Sequence, residues 1–434
     1  IEAVSRLFAE KGSNAWFEMD AADILPRGFA CPHCGKSAGF TKEEDTLDGW
    51  FDSGSTHFAA MKKDQGFWPA TMYLEGLDQY RGWFQSSLLT AVGAFGEGAP
   101  FKECVTHGWT VDGEGRAMHK SLGNGVDPAD IFNENGADIL RLWAASADYH
   151  ADVRCSKAIF QQLSQNYLKF RNTCKFMLDN LVDFDPTHLT KAEDMPVLDR
   201  WLITKLNELI EKVEQSYNDY EFHIITHAVN DFCVTTLSSF YLDIVKDRLY
   251  CEAADSAERR SAQTALYLTL STLAKLFAPI LAFTCDEIWL AMPHTAEDDA
   301  RNVVLNDMNK PFTAYALDAE TMARWEHIIE VRTAVNGALE EARAAKVIGK
   351  SLEADVHLTV PEGDVFLADE NPAALADLFI VSKVELTVGG ELAVKVENAA
   401  GTKCPRCWKH SLTPNAEGLC PRCAEVVRHL PDLL

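Results

Sequence analysis

From about residue 150 to 295, apolar positions recur at helical spacing. Ile159, Leu163, Tyr167, Phe170, Cys174, Leu178 and Leu181 share one face. After the break "DMPVLD", Trp201, Leu202, Leu206, Leu209, Ile210, Val213 and Tyr217 share another. Consecutive amphipathic helices of this kind predict a bundle. The longest apolar run, Leu266 to Cys285, contains Lys275 and Pro279 and is followed by Asp286 and Glu287. It reads as a pair of buried helices rather than a membrane span. Ahead of this region the short runs "TMYLEG" and "FKECVTHGWTV" stand between helical stretches, as in an α/β layer. Behind it a polar linker, "PHTAEDDARN", leads to a charged helix, "ARWEHIIEVRTAVNGALEEARAAK". Strand-like alternation follows in "LEADVHLTV" and "KVELTV", and a short cysteine-rich tail begins at Gly401.

Composition narrows this picture in three ways. A chain of 434 residues has room for two to four domains, each burying a core. A formal charge of −25 argues against nucleic-acid binding over the whole surface but leaves room for a local basic patch. The first residue is Ile1 rather than Met, which reads as a piece of a longer protein, and no secretory signal opens the sequence. Six of its 12 cysteines fall in three C-x-x-C pairs, which favours metal sites and reduced core thiols over disulfides.

Two of those pairs, Cys404 with Cys407 and Cys420 with Cys423, form C-x2-C-x12-C-x2-C. Two tight turns that each present two thiolates suit a structural zinc with no open ligand position. The segment from Gly401 to Leu434 carries a net +2: Lys403, Arg406, Lys409, Arg422 and Arg428 against Glu417, Glu425 and Asp432. Trp408 beside the ligands has two readings, a platform for an unpaired RNA base or packing of the knuckle. The third pair, Cys31 and Cys34, is half a site. Either it is a second metal site whose other ligands are absent, or it no longer binds metal. Two other signals lead nowhere. "IGKS" ends like a P-loop, but Ala344 stands where the first glycine is needed, and no spacing among the histidines and aspartates forms a hydrolytic triad.

Four blocks carry a resemblance: "DGWFDSGSTH" (48–57), "MYLEGLDQYRGWF" (72–84), "THGWTVDGEGRAMHKSLGN" (106–124) and "GADILRLWAASADY" (136–149). They closely resemble class I isoleucyl-tRNA synthetases, and the final "CPRCW…CPRC" resembles the C-terminal zinc module of the bacterial type. "AMHKS" looks like the K-M-S-K-S loop that closes over ATP. The resemblance implies that Lys120 stabilises the triphosphate and that His119 and Ser121 stand beside it. Ala117 and His119 depart from the motif. It also implies that Glu75, with Gly76, Asp78 and Gln79, contacts the isoleucyl-adenylate, and that Trp50 and Trp83 wall the apolar pocket. Tyr80 stands where the family usually has His.

The implied fold is multidomain. Residues 1–45 would be the trailing edge of an editing insertion. Residues 46–150 would be the C-terminal half of a Rossmann-like α/β nucleotide-binding domain, incomplete because H-x-G-H occurs nowhere. An all-α anticodon-binding bundle (151–320), a small α+β segment (321–400) and the zinc module (401–434) would follow. The implied activity is ATP- and Mg²⁺-dependent activation of isoleucine and its transfer to tRNA(Ile), in the cytoplasm, by a monomer with no membrane association. The isolated piece would be inactive. The alternatives are a noncatalytic tRNA-binding module and a valyl- or leucyl-type enzyme.

Overall fold

The computed structural model describes residues 1–369 and 371–430. Asp432 and the other residues of 431–434 lie outside the described residues. The chain divides into two compact units, Ile1–Gly108 and Trp109–Leu434. The division falls inside "FKECVTHGWTV". That stretch, expected as one strand-like run, holds two strands assigned to different units.

The first unit contains helices α1 (Glu2–Lys11), α2 (Gly49–Gly54) and α3 (Trp83–Leu89) and strands β1 (Ala70–Gly76) and β2 (Phe101–His107). The strands run parallel, in register from Ala70 opposite Phe101 to Gly76 opposite His107. Ala70, Tyr73 and Phe84 form their small core. Asp48 starts α2 by accepting the Trp50 N–H at 2.8 Å, an N-cap of the usual kind. Gly54 lets α2 lie against α3, since a Cβ there would sit 2.8 Å from the Ser86 backbone carbon.

The second unit begins with strand β3 (Thr110–Val111), helices α4 (Pro128–Asn135) and α5 (Ala137–Ser146) and strand β4 (Val153–Arg154), which pairs parallel with β3. The bundle follows: α6 (Lys157–Asp179), α7 (Val197–Asn218), α8 (Phe222–Asp231), α9 (Leu242–Cys251), α10 (Ala257–Phe277) and α11 (Ala282–Ala291). In α7 the expected stripe is the buried one, from Trp201 to Val213. In α6 the buried apolar set is Phe160, Phe170, Cys174 and Met177, because this helix serves two cores. Phe160 joins a cluster with Ile131, Ile139 and Cys155, while Phe170 and beyond join the bundle. The run Leu266 to Cys285 is the expected helix pair, α10 and α11, turning at Pro279. α10 is buried on every side from Ser261 to Ala274. No helix among the described residues is long and apolar enough to cross a membrane.

Lys275 of α10 shows why the expected linker is ordered. Its ammonium lies 5.0 Å from the Trp289 ring centroid, 3.5 Å from Asp298 and 3.1 Å from Asn309. A cation this buried needs a carboxylate, so the acidic stretch folds back to supply one.

Beyond it come α12 (Ala319–Ala344), β5 (Ala354–Val360), α13 (Pro372–Phe379), β6 (Lys383–Val388) and β7 (Ala393–Asn398). The sheet order is β6-β5-β7, with β5 parallel to β6 and antiparallel to β7. Ala354, Val356, Leu358 and Val360 alternate inward and join the same hydrophobic cluster as the bundle. Strands β8 (Thr402–Lys403) and β9 (His410–Ser411) and helix α14 (Pro421–Arg428) frame the cysteines.

The first unit holds one buried titratable group whose chemistry gives a test. His57 is 1% exposed; Nδ1 accepts from the Trp68 indole at 3.4 Å and Nε2 faces the Thr90 hydroxyl at 3.2 Å. Burial pushes its pKa below the ordinary 6.5, with Glu97 opposing and Lys62 adding. Charging His57 would set a new Nδ1 proton against the Trp68 N–H. The neutral form is therefore the one the fold favours, and its full contribution is present above pH 6.5. As pH falls below 6.5 the unfolded chain takes up a proton first, and stability should drop until the folded-state pKa is passed. Urea midpoints read by tryptophan fluorescence should fall between pH 7.5 and 5 by more in the parent than in His57→Gln. Equal falls in both would remove His57 as the source.

Candidate nucleotide loop and metal centre

Strand β1 ends at Glu75 and Gly76, opposite Thr106 and His107. Glu75 is exposed, with no hydrogen-bond or ion-pair partner among the described residues. A Cβ at Gly76 would sit 2.7 Å from Asp78 Oδ1, the end of an exposed side chain that can turn aside. Gln79 donates to Asp78 at 2.9 Å and accepts the Trp83 N–H at 3.0 Å, which caps α3. Trp83 is half-buried, stacked on Tyr73 at 4.3 Å between centroids, and its indole donates to the Ser53 carbonyl. Trp50 is 44% exposed and covers Gly82. Of the two tryptophans, Trp50 offers a free surface and Trp83 is largely committed to packing. Tyr80 places its hydroxyl 3.1 Å from Thr106.

The basic loop lies in the second unit and is built on one carboxylate. Asp112, 5% exposed, accepts the N–H groups of Glu114 (3.0 Å) and Arg116 (2.9 Å), the Arg116 Nε (2.9 Å) and the Asn124 amide (2.9 Å). The Arg116 backbone and the Asn124 amide lead the set of donors that hold this carboxyl well below the usual carboxylate range. Asn124 closes the loop from the other end, donating to the Ala117 carbonyl (3.0 Å) and accepting the His119 N–H (2.9 Å). Met118 packs against the cluster of Ile131, Ile139, Cys155 and Phe160. Lys120 opens a single 3-10 turn that ends at Gly123, whose φ of 62° favours glycine. Lys120, His119 and Ser121 are exposed, and the Lys120 ammonium has no partner among the described residues. Of the two cations in "GRAMHK", Arg116 is neutralised within the loop and Lys120 is left to face outward.

Sequence reasoning did not single out Asp112 or Asn124. A signal was present: an aspartate followed by glycines, with an asparagine closing "SLGN", is the composition of a loop held by side-chain-to-backbone bonds.

The four C-terminal cysteines converge, with every Sγ within 4.8 Å of the others and Cys407 and Cys420 3.7 Å apart. Four thiols at that spacing match the edge of a tetrahedron with sulfur at about 2.3 Å from a central ion. Burial raises the Cys404 thiol, but N–H groups of Cys407, Cys420 and Arg406 outweigh it and bring its pKa to about 6. The positive φ of Trp408 (67°) turns the chain past the first pair. Cys31 and Cys34 have no third ligand beside them among the described residues.

The basic residues around this centre are paired within the protein. Arg422 bonds Asp247 at 2.5 and 2.8 Å and Glu252 at 2.9 Å. Arg406 donates to the carbonyls of Cys251 and Tyr250, and Lys409 pairs with Asp377. Lys403 pairs with Glu353 and Arg428 with Glu425. The arginines of both C-P-R-C turns thus clamp the module onto the end of α9. Trp408 stays 52% exposed with the Lys350 ammonium 5.3 Å from its ring centroid. It lines a groove of about 450 Å3 with Tyr250, Cys251, Leu352, Ile380 and Lys409.

A parallel α/β segment, a carboxylate-anchored basic loop and a helical bundle bearing a cysteine knuckle define a class of protein. Residues 1–156 match the family model of class I tRNA synthetases of the I, L, M and V group, and residues 199–358 match the anticodon-binding domain of tRNA ligases. The chain thus carries a class I tRNA synthetase domain followed by an anticodon-binding domain of tRNA ligases. Among its relatives, it is 47% identical to the isoleucine–tRNA ligase of Moorella thermoacetica, over 99% of this chain and 48% of that protein. It is 48% identical to that of Desulforamulus reducens, with the same coverage. The chain therefore spans about half the length of the curated relatives it matches. The LeuRS chain of an Agrobacterium radiobacter K84 LeuRS–tRNA–LeuAMS complex aligns with a TM-score of 0.52 at 16% identity, over 86% of this chain and 38% of that one. It shows a shared fold.

If Asp112 is the scaffold of the loop, Asp112→Asn should free its backbone. Hydrogen exchange at the Glu114 and Arg116 amides should quicken by roughly tenfold or more, while the bundle stays protected. Unchanged protection at both amides would show that the loop is held by other means.

Proposed function

We propose that this chain is part of an isoleucine–tRNA ligase that activates isoleucine with ATP and transfers it to tRNA(Ile). The observation that carries the reading is Lys120, an unpaired ammonium on a loop whose ends are fixed by Asp112 and Asn124. A carboxylate attacking an α-phosphate drives negative charge onto the departing pyrophosphate. A preorganised cation beside it favours the transition state over bound ATP. Lys120 supplies that cation, with His119 and Ser121 as neighbouring donors. Arg116 is held by Asp112 and takes no part. Glu75, free at the end of β1, accepts a hydrogen bond from the substrate ammonium or the ribose. Trp50 gives the isoleucine side chain an apolar wall.

Cys404, Cys407, Cys420 and Cys423 hold a structural Zn²⁺, which cross-links the two turns and thereby fixes Arg406 and Arg422 on α9. The groove between Tyr250 and Trp408 offers flat aromatic surface to unpaired bases, and Lys350 stands over Trp408. Because the module's own basic residues are paired within the protein, binding there rests on stacking more than on phosphate contacts.

Two measurements test this reading. In the complete enzyme carrying this sequence, Lys120→Ala should slow isoleucine-dependent ATP–pyrophosphate exchange by about 10²–10³, with isoleucine binding little changed. Near-normal exchange would remove Lys120 from the chemistry. For the metal, elemental analysis should find one Zn²⁺ per chain. Cys404→Ser should lose it and weaken tRNA binding while leaving exchange largely intact. Well-folded protein without zinc would refute the metal assignment.

A further inference from the structure

The block "GADILRLWAASADY" is the one recognised motif to which the reaction above gives no task, and its helix, α5, touches two different systems. One face carries Ile139, with Leu140 and Trp143, in the cluster against which Met118 of the basic loop packs. The other carries Leu142, which belongs to the bundle core, and the polar pair Asp138 and Arg141.

That pair grips the corner between α10 and α11 from both sides. Arg141 donates from Nε to the Ile280 carbonyl at 2.9 Å and from Nη2 to the Pro279 carbonyl at 2.6 Å. These carbonyls follow α10, beyond the reach of its own hydrogen bonds. Asp138, 7% exposed, accepts the N–H of Phe283 at 3.3 Å, the N–H of Thr284 at 2.7 Å and the Thr284 hydroxyl at 2.6 Å. Those are the amides an N-cap side chain would take. The residue in the cap position of α11 is Leu281, which makes no side-chain cap bond. The cap is supplied from another helix. Its charges match the helix ends, cation at the carbonyl end of α10 and carboxylate at the amide end of α11. Tyr167 of α6 sits 3.0 Å from the Thr284 hydroxyl and ties a third helix to the same point.

We infer that Asp138 and Arg141 are positioning residues that couple the bundle to the basic loop through α5, so that tRNA seated on the bundle sets the loop for transfer. A single helix with Met118's cluster on one face and a charged clasp on α10 and α11 on the other cannot shift at one end without moving the other. The inference rests on the reading of the loop as the ATP surface and of the bundle as the tRNA surface.

The test uses the complete enzyme with Arg141→Ala, Arg141→Lys and Asp138→Asn. Arg141 is exposed, so its variants should fold even if Asp138→Asn does not. In Arg141→Ala, tRNA(Ile) affinity and tRNA-free pyrophosphate exchange should stay within about twofold of the parent, while kcat for tRNA charging falls by about tenfold or more. Arg141→Lys, keeping one donor for the carbonyls, should recover part of the loss. Hydrogen exchange over 112–124 should respond to added tRNA(Ile) transcript in the parent and no longer do so in Arg141→Ala. A variant that charges normally with the loop still responding would overturn the coupling. So would a variant in which affinity, exchange and charging fall together with Tm, since that is what fold support alone predicts. A parent that neither exchanges nor charges would overturn the proposed function instead. The loop's response to bound tRNA would then decide the coupling by itself, and a parent whose loop ignores bound tRNA overturns it.

Discussion

Asp199 has no exposure, and the way the bundle's helices meet follows from what its carboxylate needs. It sits on the inward face of α7 and accepts from the Tyr241 hydroxyl at 2.8 Å, the Ser261 hydroxyl at 2.5 Å and Arg248 at 3.1 and 3.2 Å. A carboxylate without water requires such partners, and removing one member of a buried pair typically costs about 3–5 kcal/mol. The partners come from the π-helical stretch Phe232–Tyr241, from α9 and from α10, so one group sets the relation of three helical segments to α7. The consequence reaches further than the core. α9, placed by Arg248, carries Asp247 and the Tyr250 and Cys251 carbonyls that hold the arginines of the cysteine module. The position of the module is thus inherited from a polar contact deep in the bundle.

Charge is managed by the same rule throughout. The chain is strongly acidic, yet basic residues near the proposed functional surfaces are mostly committed to carboxylates or carbonyls: Arg116 to Asp112, Arg422 to Asp247 and Glu252, Lys409 to Asp377. Lys120 is left unpaired by contrast. A cation in an acidic protein keeps an open position only when its loop denies it a partner. Here the one nearby buried carboxylate already has four donors.

What could be read in the sequence follows from the range of the forces involved. The α7 stripe and the α10–α11 turn at Pro279 were legible because helical periodicity and proline act locally. The cysteines were legible because a four-thiolate site imposes its own spacing. The α6 stripe was only partly legible. A helix that crosses from one core to another changes its buried face midway, and no single period describes it. The segment 293–302 read as a linker because its aspartates are polar. Their task, neutralising Lys275 and shaping the chain around Trp289, exists only once α10 is buried. The inward pairing of the module's arginines and the capping of α11 by Asp138 are contacts between residues distant in sequence, and composition cannot report them.

The departures from the K-M-S-K-S pattern can be weighed on the same physical ground. Residue 117 serves the loop through its backbone: its carbonyl accepts from Asn124, and it bridges to Val111 in antiparallel fashion. Replacing a lysine by alanine there removes a charge while leaving both contacts in place. Residue 119 likewise contributes its N–H to Asn124, which every residue but proline can do. Met118, the position that does need a particular side chain, keeps the apolar residue that packs below the loop. The shape of the loop is therefore independent of the two departures, and what they change is the cationic strength. Arg116 cannot make good the loss without giving up Asp112, which would cost the loop its scaffold. Within the proposed reaction the electrostatic task therefore falls on Lys120, on a loop whose shape Asp112, Asn124 and Met118 fix.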